Sequence, residues 1–118
     1  TFGGNHLACA AALAVLEIIA AENLLANAEN KGEYLMRELQ AMPGVTAVRG
    51  CGLMLGINTE KNGAGVRKQL LEEHHIFTGF SGDKKTIRLL PALTLAKADA
   101  DYLLESFSTV LQTKPVQS

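Results

Sequence analysis

The first six residues, Thr-Phe-Gly-Gly-Asn-His, combine groups that bind anions. Thr1 offers a hydroxyl, and Gly3 and Gly4 let a ligand approach the backbone closely. Asn5 is a favoured N-cap for the apolar segment that follows, and a helix N-terminus presents unpaired N–H groups and the positive end of the helix dipole. The turn is therefore a candidate phosphate site. The alternative, from local pattern alone, is an ordinary Gly-Gly-Asn helix entry.

A second candidate is Arg88, which stands alone in the otherwise apolar stretch Ile87–Pro91. Strand alternation places its side chain on the face opposite Ile87 and Leu89. A guanidinium held on a rigid strand suits bidentate binding of a carboxylate. The sequence therefore indicates a carboxylate-binding residue, and the alternative is a solvated arginine on an edge strand.

Other polar clusters have simpler interpretations. The run Glu-Glu-His-His at 72–75 resembles a metal cluster, but on a helix only Glu72 and His75 converge. Histidines near a helix C-terminus are the better interpretation, and no metal site is predicted. Gly-Cys-Gly at 50–52 predicts a tight turn rather than a reactive thiol loop. His6 is interpreted as the first residue of a helix.

Composition narrows the class of protein. The 118 residues carry 11 basic and 12 acidic side chains, a net charge of −1, which argues against a nucleic-acid or membrane-surface partner. The sequence is 47% hydrophobic and only 19% charged, so part of its apolar surface is expected to be covered by something outside this chain. The isolated chain is therefore expected to self-associate. Cys9 and Cys51, far apart in sequence, are predicted to be reduced, buried thiols of a cytoplasmic protein.

The apolar run Leu7–Ala21 is too short for a membrane span and contains Glu17, so it predicts a helix buried on most sides. The predicted helices are about His6–Glu22, Asn23–Ala41, Asn62–His74 and Ala98–Leu111, and the predicted strands are Val45–Arg49, Leu53–Asn58, Ile76–Thr78 and Thr86–Leu90. Gly79–Lys85 is predicted to be a turn. This order predicts an α+β fold, a small, mostly antiparallel sheet with helices packed on one face.

Helical spacing also predicts which side chains face the core. They are Leu25, Ala28, Leu35, Met36 and Leu39 of the second helix, Leu70 and Leu71 of the third, and Ala100, Leu103, Leu104, Phe107 and Leu111 of the last.

Three motifs in order resemble the C-terminal part of class III pyridoxal-phosphate aminotransferases of fold type I. They are TFGGNHLACA at 1–10, RGCGLMLGI at 49–57 and TIRLLPALT at 86–94. The resemblance extends to about Leu111, and the three motifs together are much more specific than any one of them. It implies an interdomain helix with its phosphate-site turn at 1–22, a small α+β domain at 23–111 and a flexible tail at 112–118.

The resemblance also implies an activity, in which the amino group of an ω-amine passes to 2-oxoglutarate, giving an aldehyde and glutamate, in a cytoplasmic homodimer. The threonine of the first motif hydrogen-bonds the cofactor phosphate of the neighbouring subunit, a role that falls on Thr1. The arginine of the third motif binds a substrate carboxylate, which falls on Arg88. The chain most resembles members that act on acetylated ornithine in arginine biosynthesis, with ornithine, succinylornithine or 4-aminobutyrate as alternatives.

The chain departs from the family pattern in three ways. The family usually has proline where His6 and Ala92 stand. Its Schiff-base lysine lies upstream of the first motif, with its pyridinium-binding aspartate further upstream. Lys31, Lys68 and Lys97 lie on or next to predicted helices and are not assigned the role of the Schiff-base lysine, so the chain alone is expected to be inert. A different class of function, a stand-alone α+β binding or oligomerisation module, remains an alternative.

Overall fold

The computed structural model describes residues 1–83 and 85–113, which form helices and one antiparallel sheet. The helices are α1 (His6–Ala21), α2 (Leu24–Gln40), α3 (Gly63–His74) and α4 (Lys97–Gln112). The strands are β1 (Val45–Cys51), β2 (Met54–Thr59), β3 (Gly79–Phe80) and β4 (Thr86–Leu89). This architecture confirms the predicted α+β fold class. Residues 114–118 of the predicted tail lie outside the described residues.

The sheet has the strand order β1-β2-β4-β3, and every neighbouring pair is antiparallel. Side chains alternate across it, so Leu55 and Ile57 of β2 lie on the same face as their partners Leu89 and Ile87 of β4. These four residues are buried beneath α2, α3 and α4, which all pack on this face. The opposite face is not covered by a helix of the described chain, and it carries Arg88.

The helices bury the stripes that their spacing dictates. All five positions predicted to face inward from α4 are buried. In α2 the buried leucine of the first turn is Leu24, whereas Leu25 is 72% exposed, and in α3 Leu70 is buried whereas Leu71 is 47% exposed. The predictions for Leu25 and Leu71 were wrong because adjacent helical residues point about 100° apart, so only one of each pair can face the sheet.

Two predictions for the segment between α3 and β4 were wrong, because the strand begins three residues later than expected. They are the strand at Ile76–Thr78 and the turn at Gly79–Lys85. The Ile76 N–H closes the end of α3 by donating to the Leu70 carbonyl at 2.9 Å, so it is not available to a sheet. The strand forms instead at Gly79–Phe80, where it pairs with Arg88 and Ile87 of β4.

Helix α1 is not buried, contrary to the prediction. None of its residues is buried, and large apolar side chains such as Leu7 and Leu16 are exposed, because α1 packs mainly on α2 and nothing else in the described chain covers it. Among the described residues, no one helix is long and apolar enough to cross a membrane. Helices α1 and α2 reach that length and apolarity only when taken together, across a 65° bend.

Helix α2 meets the β1–β2 turn through a direct backbone contact. A Cβ atom at Gly32 would lie 2.2 Å from the carbonyl oxygen of Gly52 and 2.5 Å from its carbonyl carbon. Gly52 itself has φ +52°, in the left-handed region that favours glycine. At Gly50 a Cβ atom would lie 2.1 Å from the carbonyl oxygen of Met54. The turn between the strands is therefore Gly52–Leu53, and the prediction of a turn at 50–52 was wrong at its first two residues, because Gly50 and Cys51 pair with β2. Helix α2 approaches the backbone of this turn at Gly52.

We predict that Gly32→Ala lowers the free energy of unfolding of this chain by about 3 kcal/mol or more, because the methyl group meets backbone that cannot rotate away. The matched control is Gly65→Ala in α3, where a Cβ atom would meet nothing within 4 Å. That substitution should stabilise the chain by up to about 1 kcal/mol through helix propensity. Urea unfolding followed by circular dichroism measures both. Equal effects of the two substitutions would contradict the backbone contact.

Candidate functional site

Asn5 builds the turn that precedes α1. Its side-chain oxygen accepts a hydrogen bond from the Ala8 N–H at 2.8 Å, and its amide group donates to the Phe2 carbonyl at 2.8 Å. Gly4 has φ +76°, in the left-handed region. One side chain therefore caps the helix and folds residues 2–5 into a turn, which agrees with the predicted N-cap.

The groups around this turn are open to a ligand. Thr1 is exposed, and its hydroxyl makes no hydrogen bond within residues 1–83 and 85–113. A Cβ atom at Gly3 or Gly4 would meet nothing within 4 Å. No acidic residue lies in the first turn of α1, so the positive end of the helix dipole is not neutralised there. The arrangement can accept an anion such as a phosphate.

Arg88 lies on an interior strand rather than on an edge. Its strand β4 stands between β2 and β3, and Arg88 is paired with Gly56 on one side and Gly79 on the other. The side chain is exposed on the face opposite the core, and within the described part of the chain it has no hydrogen bond and no ion pair. The prediction of its face is confirmed, and the edge-strand alternative does not hold.

A row of arginines and glycines crosses this open face of the sheet. Strand pairing aligns Arg49, Gly56, Arg88 and Gly79 in that order from β1 to β3. A Cβ atom at Gly56 would lie 3.6 Å from Cγ of Arg49, and one at Gly79 would lie 3.1 Å from Nε of Arg88. Each arginine therefore lies across a glycine of the neighbouring strand. Sequence reasoning did not single out Arg49, because only the register of β1 on β2 places it in this row.

The two arginines of the row differ in their partners. Arg49 donates to Oδ1 of Asn58 at 3.2 Å and to the hydroxyl of Thr86 at 3.0 Å. The Thr86 hydroxyl also lies 3.2 Å from a carboxylate oxygen of Asp83. The Lys85 N–H, and secondarily the Thr86 hydroxyl, hold the pKa of Asp83 below its usual value. The hydrogen bonds to Asn58 and Thr86 give the guanidinium of Arg49 a structural role.

The remaining sequence candidates are not assembled into a site. Cys9 and Cys51 are both exposed, so the prediction of buried thiols was wrong: α1 is uncovered, and Cys51 ends the edge strand β1. His75 has a left-handed backbone conformation, with φ +56°, and serves as the C-cap of α3. Within residues 1–83 and 85–113, no three His, Cys, Asp or Glu side chains are grouped so as to hold a metal ion.

The two principal candidates lie on elements that do not pack extensively together. Helix α1, which follows Thr1, packs on α2, whereas β4, which carries Arg88, packs with β2, β3 and α3. A cavity of about 290 Å³ lies beside the end of β4, lined by residues such as Leu89, Pro91 and Tyr102, and it includes neither candidate. Thr1 and Arg88 are therefore two separate open surfaces of this chain.

The family model for class-III aminotransferases matches residues 1–111. Acetylornithine aminotransferase 1 of Bordetella parapertussis is 41% identical over 108 residues, which are 88% of this chain and 27% of that protein. The ornithine aminotransferase of Bordetella pertussis is 36% identical over 115 residues, which are 94% of this chain and 28% of that protein.

A solved structure shows the same fold. The crystal structure of acetylornithine aminotransferase from Elizabethkingia anophelis matches with a TM-score of 0.82 at 27% identity, covering 94% of this chain and 31% of that one. The chain thus spans less than a third of the length of the relatives that it matches.

Proposed function

This chain belongs to the class-III aminotransferases, and we propose that it is the C-terminal part of a longer enzyme that moves the amino group of N-acetylornithine to 2-oxoglutarate. In this proposal residues 1–22 are an interdomain helix with its phosphate-site turn, and residues 23–111 are the small domain. The exposed apolar side chains of α1 support a covering segment or subunit, and we propose a homodimer. Two free cysteines agree with a cytoplasmic location.

Class-III aminotransferases generally depend on pyridoxal phosphate, and the described residues fit one end of this cofactor. The exposed Thr1 hydroxyl, the open glycine backbone and the start of α1 form an anion-binding turn. We propose that Thr1 donates its hydroxyl to the cofactor phosphate of the neighbouring subunit. When bound, the cofactor supplies the aldehyde that takes up the amino group and a ring that stabilises negative charge.

Neither Lys97 nor Lys61 fits the reactive amine of such an enzyme. Nζ of Lys97 lies 2.7 Å from a carboxylate oxygen of Asp101 and 3.3 Å from the Tyr34 hydroxyl. These contacts raise the pKa of Lys97, whereas an amine nucleophile needs a lowered pKa. Lys61 donates to the carbonyl of Val110 at 2.7 Å, at the end of α4. We propose that the lysine which bonds the cofactor lies upstream of Thr1, and that this chain alone is inactive.

Arg88 is the residue that we propose binds substrate carboxylate. The observation that supports this role is an exposed guanidinium on an interior strand without a hydrogen-bond or ion-pair partner in the described chain. A rigid strand holds its base in place, so a planar carboxylate can meet two of its N–H groups at once. Acetylornithine and glutamate both carry such a carboxylate.

Ornithine is the second candidate substrate, because the ornithine aminotransferase of Bordetella pertussis is also similar to this chain. Succinylornithine and 4-aminobutyrate are further members of the same substrate class. All of them offer a carboxylate to Arg88, so this contact by itself does not separate them. The groups that choose among the amines are proposed to lie largely outside this chain.

The proposed activity is tested by comparing this chain with the longer polypeptide that contains it. We expect glutamate formation from acetylornithine and 2-oxoglutarate, dependent on added pyridoxal phosphate, only in the longer protein. Parallel assays with ornithine, succinylornithine and 4-aminobutyrate rank the amine substrates. Transamination by the isolated chain, or a stable visible absorbance band of bound cofactor, would contradict its proposed inactivity. Lack of activity toward every amine in the longer protein would contradict the enzyme assignment.

The role of Thr1 is tested by Thr1→Val, which keeps the shape and removes the hydroxyl. We expect cofactor affinity in the longer enzyme to fall about tenfold, the loss of one charge-assisted hydrogen bond. Equilibrium dialysis of pyridoxal phosphate measures the dissociation constant. The matched control is Thr46→Val in β1, an exposed threonine whose substitution should leave the affinity unchanged. Equal affinities of the parent, Thr1→Val and Thr46→Val for pyridoxal phosphate would contradict the proposed role of Thr1.

The role of Arg88 is tested by Arg88→Ala in the longer enzyme. We expect KM for 2-oxoglutarate and for the amine to rise about a hundredfold, because the substrate carboxylate loses its cationic partner. The control is Arg37→Ala, which removes an exposed arginine that pairs with Glu38 at 2.9 Å on α2. Steady-state kinetics should show the control within about twofold of the parent. An unchanged KM in Arg88→Ala would exclude the proposed contact.

A further inference from the structure

The side chain of Arg88 rests on the backbone of Gly79. A Cβ atom at Gly79 would lie 3.5 Å from Cβ, 3.4 Å from Nη2 and 3.1 Å from Nε of Arg88. The arginine therefore borders the space that a side chain at Gly79 would occupy, from its own Cβ atom to its guanidinium. Because Arg88 makes no hydrogen bond or ion pair within residues 1–83 and 85–113, this contact is a principal constraint on where its guanidinium lies.

Strand β3 cannot easily move away from Arg88, because α3 holds it on both sides of Gly79. Nε and Nη2 of Arg67 donate to the carbonyl oxygen of Thr78 at 3.2 and 3.1 Å. The guanidinium carbon of Arg67 also lies 5.0 Å from the centre of the Phe80 ring. The short strand, only two residues long, is thus tied to a helix as well as to β4.

We propose that Gly79 is a positioning residue for substrate carboxylate, because its missing side chain lets Arg88 lie flat on β3 and so sets the height of the guanidinium above the sheet. This inference rests on the proposed carboxylate-binding role of Arg88. A methyl group at position 79 would push the arginine outward by a few tenths of an ångström, because β3 is held and the end of the arginine is flexible.

The same geometry separates this effect from a loss of stability. Gly79 does not have a left-handed φ, so alanine fits its backbone without strain. The atoms nearest to the added methyl group belong to the exposed side chain of Arg88 rather than to the core. Substitution at Gly79 therefore acts on the position of the guanidinium and leaves the fold in place.

The experiment is a double-mutant cycle in the longer enzyme with Gly79→Ala, Arg88→Ala and the two combined. The probe is glutarate, a dicarboxylate without an amino or keto group, whose dissociation constant is measured by competition. We expect Gly79→Ala to weaken glutarate binding and raise KM for 2-oxoglutarate about tenfold, with kcat within about threefold of the parent. In the Arg88→Ala background, Gly79→Ala should have no further effect. Gly65→Ala, an exposed glycine in α3 with open space around it, is the matched control.

A second variant, Arg67→Met, loosens strand β3 beneath Arg88 without adding atoms to Gly79. It removes the two hydrogen bonds to Thr78, and we expect it to weaken glutarate binding about threefold when Arg88 is present and not when it is absent. The thermal midpoint of Gly79→Ala should stay within about 2 °C of the parent.

The outcomes distinguish the inference from the function on which it rests. If Arg88→Ala leaves glutarate binding unchanged, the proposed role of Arg88 fails. If Arg88→Ala weakens binding but Gly79→Ala does not, or does so equally with and without Arg88, the positioning role of Gly79 is overturned and the role of Arg88 stands.

Discussion

The backbone contact between Gly32 and Gly52 fixes how the second helix lies on the sheet, and much of the remaining packing depends on it. Because no side chain separates the two backbones, α2 lies close against the β1–β2 turn. That approach seats Leu35 and Leu39 of α2 in the core with Leu55 of β2. Helices α3 and α4 complete the same layer, so one face of the sheet is closed by apolar side chains.

Because the helices cover one face of the sheet with apolar side chains, polar side chains lie on the opposite face. Strand alternation sends every second residue of β2 and β4 to this open face, and there two arginines each lie across a glycine. Arg49 is tied to Asn58 and Thr86 and belongs to the architecture. Arg88 lies in the same kind of contact without such partners among residues 1–83 and 85–113. This difference supports a structural role for Arg49 and the proposed ligand-binding role for Arg88.

The opening turn and Arg88 belong to two separate open surfaces of the described chain. The turn lies at the start of α1, a helix that is apolar but exposed along its length, whereas Arg88 stands on a strand held by the core. An apolar helix that the described residues leave exposed agrees with a chain that matches less than a third of its relatives' length. In the enzyme that we propose, a further segment or a second subunit covers α1, and residues outside the described chain supply the reactive lysine.

Local patterns in the sequence predicted much of this structure because they reflect short-range physics. The cap at Asn5, the buried stripe of α4 and the outward face of Arg88 follow from residue type and from periods of 3.6 and 2. The wrong predictions had longer-range causes. Leu25 was placed in the core because spacing alone does not tell which of two adjacent leucines meets the sheet.

Residue types and their spacing correctly predicted the helices, three of the four strands and the α+β class, and they single out Thr1 and Arg88 as candidates. Three features depend on the packing of the whole chain: the remaining strand is Gly79–Phe80, Arg88 lies inside the sheet, and Arg49 and Arg88 each lie across a glycine. The reason is physical: caps, periodicity and turns act over a few residues, whereas strand order, register and backbone contact join residues that are far apart in the chain.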